Sequence, residues 1–510
     1  MKESRTKYTF LNSITGMIVK IVTIVVAFVT RTVFIKTLGI QYAGVSGVFS
    51  NVLTVLSFAE MGIGSAIVYA LYKPIADNDE VQIAKLMNAY KKIYSIIAVV
   101  ILALGLCLIP FLGFIITDVP DIIEDIRLIY VLYLLNTASS YLLIYKSSFL
   151  TAAQKDYLVS KAKIIVSIGK ATVECVVLLL THNFILYLLI SIFTQVTQNI
   201  YIARVAEREY PVLREKTNER LSNDEKGRLF KDVKALFMYK VSGTVLDGTD
   251  SIVISSFIGT SFVGILGNYN LIVNQIYSFV MQIFTATSAS IGNLAATSSK
   301  EHQESVFDKM LFLCFWIYCF CATSLWTLLN PFMTIWQGKN LLFSSSMVLL
   351  LVMDFWMKGM LSPISQFRTS NGLFVQGQYR PLIMAMINIV VSIYLVKRIG
   401  ITGVIAGTII SRVTTQNWYD PYLVYKHVFQ SSVWKYYIKY LTYGGITLAT
   451  CWISSSILAV LPIQNDFVKL FAGAGLSVFI PNAAIVLLFY KTQEFHSVLD
   501  LIKKVLKRKL

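Results

Sequence analysis

The chain has 510 residues, of which 56% are hydrophobic and only 14% are charged, and its mean hydropathy is +0.65. A soluble protein carries about 25% charged residues, so this composition excludes a set of water-soluble domains and indicates an integral membrane protein. The formal net charge of +17 would suggest nucleic-acid binding in a soluble protein, but in a membrane protein it is typical of basic cytoplasmic loops.

Long apolar segments occur along the whole chain. Crossing the hydrocarbon core of a bilayer takes about 20 mostly apolar residues. By this criterion the sequence predicts fourteen transmembrane helices: 11–35, 43–71, 90–116, 127–150, 158–181, 183–205, 235–258, 262–291, 306–330, 342–366, 380–396, 401–425, 435–460 and 467–490. We therefore predict an all-α polytopic membrane protein.

The basic residues are distributed unevenly between the two sides of these spans. With the N-terminus inside, the cytoplasmic segments hold 34 Lys and Arg residues and the outer segments hold six. This agrees with the positive-inside rule, so nucleic-acid binding is not needed to explain the charge. We predict a multi-pass protein of the cell membrane with both termini in the cytoplasm.

A polar interval at 206–232 divides the chain after six spans, and we interpret it as a cytoplasmic linker between two halves. The tail at 491–510 alternates apolar and basic residues at helical spacing, which is typical of an amphipathic helix on an anionic membrane surface. The apolar residues of that tail are Phe495, Val498, Leu499, Ile502, Val505 and Leu506.

The two halves share a glycine pattern at the start of corresponding spans. The spacing of five and then three residues recurs at an offset of 220 positions, in Gly39, Gly44 and Gly47 and again in Gly259, Gly264 and Gly267. Both patterns follow an odd-numbered span, so a repeat would be parallel, with an axis along the membrane normal. Chance is the alternative, because glycines are common in membrane helices and turns.

Four stretches carry a resemblance to a known family: FIKTLGIQYAGVSGVFSNVLTVLSFAEMGIGSAIVYALYKPIA (34–76), DGTDSIVISSFIGTSFVGILGNYNLIV (247–273), NGLFVQGQYRPLIMAMINIVVSIYLVKRIGITGVIAGTIIS (371–411) and NWYDPYLVYKHVF (417–429). In these the sequence resembles the Wzx-type polysaccharide repeat-unit flippases of the MOP superfamily, which also holds the MATE exporters and the lipid II flippase MurJ. The capsule and exopolysaccharide flippases of Gram-positive bacteria fit best.

The resemblance implies a V-shaped, pseudo-symmetric pair of six-helix bundles around a central cavity, at 1–205 and 233–430. It also implies two extra transmembrane helices at 431–490, and an undecaprenyl-diphosphate-linked oligosaccharide as the substrate. Other polysaccharide assembly proteins are expected partners on the same grounds.

Ionisable residues inside predicted spans are rare and often functional, because a charge in hydrocarbon is unfavourable. Lys20 and Arg31 are eleven residues apart in the first span, so they share a helix face. We predict that they line a cavity and bind a diphosphate. For Arg31 the alternative is that it extends to the outer interface.

Arg412 has no local partner in sequence, so we predict that it binds the anion in the second half.

Two further pairs have the i, i+4 spacing that brings side chains together on a helix. These are Lys170 with Glu174 and Asp354 with Lys358, and structural pairing is preferred to substrate contact for both.

Three further acids, Glu60, Asp247 and Asp250, are candidates for a coupling Na⁺ or H⁺ site. For Asp247 and Asp250 the preferred alternative is contact with a neighbouring helix or with Lys240.

The leading hypothesis is a flippase that moves the lipid-linked glycan from the inner to the outer leaflet by alternating access. The alternative is a MATE-type cation-coupled drug or metabolite antiporter, whose cavity is expected to be acidic because its substrates are cations. An enzyme is disfavoured because every outer interval is short and no histidine lies inside a span. We predict no catalytic residue, cofactor, metal site or nucleic-acid partner, and expect membrane lipids and the glycan as ligands.

Overall fold

The computed structural model describes residues 5–57, 63–118, 120–153, 155–214, 221–222, 227, 248–285, 287–373, 376–377 and 379–507. Every regular element within these residues is helical, so the predicted all-α class is confirmed. Packing divides the chain into two compact units, unit 1 at Met1–Gly264 and unit 2 at Ile265–Leu510. The domain boundaries predicted at 205 and 233 were placed from the sequence repeat, and they differ from this division by packing. They stay predictions.

Unit 1 contains ten helices within the described residues and the first turn of an eleventh: α1 (Arg5–Leu38), α2 (Ile40–Leu56), α3 (Ile63–Asp77), α4 (Glu80–Leu108), α5 (Leu112–Ile115), α6 (Ile126–Ser140), α7 (Ile144–Ala152), α8 (Asp156–Thr181), α9 (Phe184–Glu209), α10 (248–257) and the start of α11 (Thr260–Thr285). Short 3₁₀ turns follow α4 at Ile109–Phe111 and α9 at Pro211–Arg214.

Unit 2 holds the rest of α11 and the following helices: α12 (Ser288–Thr297), α13 (Lys300–Gln337), α14 (Ser345–Met360), α15 (Ser362–Ser370), α16 (Arg380–Ile399), α17 (Ile401–Thr414), α18 (Gln416–Val424), α19 (Trp434–Val460), α20 (Asp466–Phe489) and α21 (Gln493–Lys507). A π-helical turn at Tyr425–Phe429 extends α18, and a 3₁₀ turn at Lys339–Leu341 follows α13.

Within the described part of the chain, ten helical stretches are long and apolar enough to cross a membrane: Ile18–Leu38, Glu80–Ile115, Ile126–Ala152, Asp156–Thr181, Phe184–Glu209, Lys300–Gln337, Ser345–Ser370, Arg380–Ile399, Trp434–Val460 and Asp466–Phe489. They coincide with ten of the fourteen predicted spans. The second predicted span falls on α2 and α3, the eighth on α11 and the twelfth on α17 and α18, while most of the seventh lies outside the described residues. The protein is a multi-pass membrane protein.

Polar residues in the connections explain where several helices begin. The Asp79 carboxylate accepts a hydrogen bond from the Gln82 amide at 2.9 Å, and the Asn183 side chain accepts one from the Leu186 amide at 2.9 Å. Such caps satisfy amides that have no partner inside the helix. The predicted tight turn between the fifth and sixth spans is present, since His182 is left-handed with φ of 51° and Asn183 caps α9.

In unit 1, α1 packs against α8, α8 against α9, α9 against α6, and α6 against α4 and α2. The ring of Phe49 on α2 meets the ring of Tyr130 on α6 edge-on, with centroids 5.2 Å apart. The Tyr130 hydroxyl donates to the Gly105 carbonyl of α4 at 3.0 Å, so this buried phenol is satisfied inside the unit.

The 38-residue helix α13 is the centre of unit 2 and packs against α14, α19, α20 and α21. Phe315 of α13 stacks on Tyr443 of α19 with a centroid distance of 4.1 Å. The tail helix α21 is docked by Phe495, which stacks on Trp316 at 5.4 Å. Part of the predicted apolar stripe of the tail therefore packs on protein.

Candidate intramembrane charge sites

The repeated glycines form two similar turns in unit 1. Gly39 joins α1 to α2 with φ of 97°, and Gly259 joins α10 to α11 with φ of 132°. Residues other than glycine rarely adopt such angles. Gly47 lies farther along α2, where an added Cβ atom would be 3.1 Å from a methyl group of Val263, and Gly267 lies in α11.

The structure brings these two turns into direct contact. A Cβ atom added to Gly44 would lie 1.9 Å from the carbonyl oxygen of Thr260. A Cβ atom added to Gly264 would lie 2.7 Å from the carbonyl oxygen of Ile40. The two glycines thus allow the backbones of α2 and α11 to touch at their first turns.

Lys20 and Arg31 lie on one face of α1, and both are half-buried. At about 100° of rotation per residue, this face is opposite to a stripe of apolar side chains that are 46–61% exposed: Ile18, Ile21, Val25 and Val29. A large exposed apolar stripe on a membrane helix is the surface expected to contact lipid. The two cations therefore point away from that stripe.

Arg31 contacts the first turn of α11. Its Nη2 donates to the Gly264 carbonyl at 3.0 Å, and the phenols of Tyr133 and Tyr187 lie within electrostatic range of its guanidinium. The predicted ligand-binding role of Arg31 and the alternative at the outer interface both stay predictions.

Lys170 and Glu174 form an ion pair on α8, with Nζ and Oε1 3.6 Å apart. The Glu174 side chain is buried and also lies near the Ser191 hydroxyl of α9, whereas Lys170 remains about one-third exposed. The carboxylate of the pair thus lies in the interior of unit 1, while its ammonium lies closer to the surface.

Asp354 of α14 is paired differently from the prediction. Arg412 of α17 places its Nε 2.9 Å from Asp354 Oδ1, and its Nη1 donates to Gln416 Oε1 at 3.2 Å. The expectation that Arg412 has no carboxylate partner is wrong, and so is the pairing of Asp354 with Lys358. An i, i+4 pair contributes only a few tenths of a kcal/mol, so a directed guanidinium contact from a neighbouring helix readily replaces it.

Lys358 instead lies over an aromatic ring. Its Nζ is 4.7 Å from the ring centroid of Tyr277 on α11, which is within the range of a cation–π contact. The half-buried Lys358 makes no ion pair with any of the described residues.

A third cluster of unit 2 was not expected from the sequence. The buried Asp420 of α18 receives a hydrogen bond from Arg368 Nη1 at 2.9 Å, and Arg380 Nε lies 3.2 Å from the same oxygen. Arg368 also donates to the carbonyls of Leu373 and Gln376. These contacts fix the connection between α15 and α16, a structural role.

Of the three candidate acids for ion coupling, the structure describes Asp250. Glu60 and Asp247 lie outside the described residues. Asp250 is half-buried in α10, next to Ser251, whose hydroxyl accepts a hydrogen bond from Asn51 of α2 at 2.8 Å. In the described part of the chain, no group of three or more His, Cys, Asp or Glu side chains could hold a metal ion.

An apolar pocket of about 420 Å³ opens between α14, α17, α18 and α19 of unit 2. Aromatic side chains form much of its wall, namely Trp356, Trp418, Tyr437 and Tyr440. Asn417 is one of the few polar residues in the lining, and its amide donates to the Tyr440 hydroxyl at 2.8 Å. Such a wall suits apolar groups.

The sequence did not identify the aromatic partners of the charges. Tyr277, Tyr133 and Tyr187 lie on helices distant in sequence from the cations they approach. Of the polar partners, Gln416 could have been predicted from the sequence, because it follows Arg412 at the i+4 position, where side chains on a helix meet.

No protein-family model and no curated protein matches the sequence. Solved structures do resemble this one. The lipid II flippase MurJ in an inward closed conformation has a TM-score of 0.68 at 14% identity, covering 94% of this chain and 99% of that one. The MATE multidrug transporter DinF-BH, solved as a complex, has a TM-score of 0.60 at 15% identity, covering 85% and 98%.

A multidrug resistance MATE family transporter of the MOP superfamily, in an inward-facing conformation, has a TM-score of 0.56 at 11% identity, covering 77% of this chain and 91% of that one. The likeness to MurJ extends over nearly the whole chain. The protein therefore has the fold shared by MurJ and the MATE transporters.

Proposed function

We propose that this protein is a flippase for an undecaprenyl-diphosphate-linked oligosaccharide, which it moves from the inner to the outer leaflet by alternating access. The transported glycan would serve the assembly of a capsule or exopolysaccharide. Two facts support the proposal, namely a fold like that of a lipid II flippase over 94% of the chain and the sequence resemblance to Wzx-type proteins.

The charged face of α1 is the observation that carries the proposal. Lys20 and Arg31 lie opposite the exposed apolar stripe of this helix, so we assign them to the side of α1 that a ligand would approach from within the protein. A diphosphate carries about two negative charges, and in a region poor in water it is stabilised by charge-assisted hydrogen bonds from such groups. The polyprenyl tail needs no protein charge and remains in the bilayer.

Transport of this kind needs a source of energy, and an inward flux of Na⁺ or H⁺ is one candidate. Asp250 is the described member of the three acids considered for coupling, and it lies on α10 beside the contact between Asn51 and Ser251.

The second candidate function is export of cationic drugs or metabolites. The likeness to MATE transporters favours it, since one of them is a multidrug transporter with a TM-score of 0.60. The cations on α1 oppose it, because they would repel a positively charged substrate.

Proteoliposomes separate the two functions. A fluorescent undecaprenyl-diphosphate-linked disaccharide is placed in vesicles with the purified protein, and its accessibility to an impermeant quencher is followed over time. We expect translocation faster than in empty vesicles, and a large loss of rate in Lys20→Ala. Translocation at the rate of empty vesicles, with efflux of a fluorescent cationic dye, would instead establish the antiporter.

A further inference from the structure

The second half of α14 carries two charges, Asp354 and, in the last turn, Lys358, and among the described residues only one of them has an ion-pair partner. Asp354 Oδ1 is 2.9 Å from Arg412 Nε, and the Arg412 side chain is 7% exposed. Lys358 follows Asp354 by one helical turn, but its ammonium lies over the ring of Tyr277. The three side chains therefore hold two cations and one carboxylate, and that carboxylate is already bound.

An aromatic ring holds an ammonium without cancelling its charge. The attraction comes from the ring quadrupole, and the ammonium keeps its full charge. A phosphate-type oxygen forms a stronger, charge-assisted hydrogen bond with the same N–H groups. Lys358 can thus bind an oxyanion without first breaking an ion pair, whereas the charge of Arg412 is already balanced by Asp354.

The surroundings make a purely structural role for Lys358 unfavourable. α14 lies in one of the helical stretches apolar enough to span a membrane, and an unneutralised charge there is costly. An apolar side chain could pack against Tyr277 and Phe355, whose rings are 6.5 Å apart, without that penalty. A lysine at this position is better explained by a negatively charged ligand.

We infer that Lys358 is the residue of unit 2 that binds a phosphate-type oxyanion, with Tyr277 as its positioning residue. The Arg412–Asp354 pair then supports α14 and α17 and does not bind the ligand. The inference rests on the proposed function, since it assigns the diphosphate of the lipid-linked glycan to Lys358. A phospholipid headgroup or inorganic diphosphate has the same chemistry, so the test includes both.

The experiment measures binding to the purified full chain in detergent by native mass spectrometry. The probes are undecaprenyl diphosphate, phosphatidylglycerol and inorganic diphosphate. For undecaprenyl diphosphate we expect Lys358→Ala to weaken binding about ten- to hundredfold, as for the loss of a charged hydrogen bond. We expect Lys358→Arg and Tyr277→Phe to stay within about threefold of wild type, and Tyr277→Leu to fall between. Lys339→Ala, at an exposed turn, is the control.

A stability readout separates binding from folding. Lys358→Ala should unfold at the wild-type temperature, because it leaves no buried carboxylate without a partner, whereas Arg412→Ala should unfold at a lower one. Wild-type affinity in Lys358→Ala, or equal losses in Tyr277→Phe and Tyr277→Leu, would overturn the inference and leave the proposed function intact.

The probes also separate the sources of the oxyanion. If phosphatidylglycerol or inorganic diphosphate binds as tightly as undecaprenyl diphosphate and depends on Lys358, the oxyanion site is supported and the lipid-linked substrate is not. If wild type binds none of the three probes, the proposed function itself fails.

Discussion

Removing the guanidinium of Arg412 should destabilise the protein, which is the reverse of what its sequence context predicts. In sequence Arg412 lacks a carboxylate partner, so its loss would be expected to affect transport alone. In the structure its Nε lies 2.9 Å from Asp354 Oδ1. Arg412→Ala would leave the Asp354 carboxylate in an apolar unit with its partner gone.

The magnitude follows from the burial of the two groups. Breaking a buried ion pair by removing one partner costs about 3–5 kcal/mol. Because the Asp354 side chain is 24% exposed while that of Arg412 is 7% exposed, water relieves part of the penalty when the arginine is removed. We expect about 3 kcal/mol for Arg412→Ala and somewhat more for Asp354→Asn, which leaves the more buried cation.

A double-mutant cycle tests this reasoning in detergent, with the free energy of unfolding as the readout. Replacing both groups, as in Asp354→Leu with Arg412→Met, removes the charges together, so the double variant should be within about 1 kcal/mol of wild type. Lys435→Ala is the matched control in the same unit. Its partner Glu304 is 3.9 Å away and Lys435 is 69% exposed, so we expect little change. Single variants as stable as wild type, or additive losses in the double variant, would refute the buried-pair argument.

Three further predictions concern the glycine contact, the tail and the topology. Gly44→Ala places a Cβ atom against backbone and should lower the unfolding free energy by roughly 1–3 kcal/mol, whereas Gly169→Ala, with no atom within 4 Å, should not; equal thermal shifts would contradict this. Phe495→Ala should release α21, seen as faster amide exchange confined to that helix, and unchanged exchange would argue against its docking. An impermeant maleimide added outside should label Asp121→Cys and leave Asn218→Cys unmodified, and strong labelling of the latter would reverse the topology.

The helices could be predicted from sequence because their signals are local. Apolar runs of sufficient length, bounded by capping residues such as Asp79 and Asn183, determine where a membrane helix lies whatever its neighbours are. α11 coincides with a predicted span yet is not among the ten described stretches that are apolar enough to cross a membrane, because Asn268, Asn270 and Asn274 lower its mean hydropathy. Such a helix is identified by the arrangement of its apolar residues more than by its mean hydropathy.

The charge partners could not be predicted because tertiary packing chooses among them. Asp354 has Lys358 one turn away and Arg412 58 positions away, and sequence spacing favours the near one. A planar guanidinium makes shorter, directed contacts and is less strongly hydrated than an ammonium, so the distant arginine takes the carboxylate once α17 packs on α14. The lysine is then left for an aromatic ring, and no spacing rule predicts Tyr277.

The glycine pattern shows how a weak sequence signal gains meaning from contacts. Position 44 touches position 260, and position 264 touches position 40. Adding the repeat offset of 220 to position 44 gives position 264, and subtracting it from position 260 gives position 40. The repeat therefore converts the first contact into the second. Reciprocal contacts of this kind are the mark of a local two-fold axis. Chance spacing of common glycines does not explain why each repeat places its glycine against the first helical carbonyl of the other. The contact therefore supports a repeat, and we expect residues 1–205 to superpose on 230–430 with the two turns coinciding.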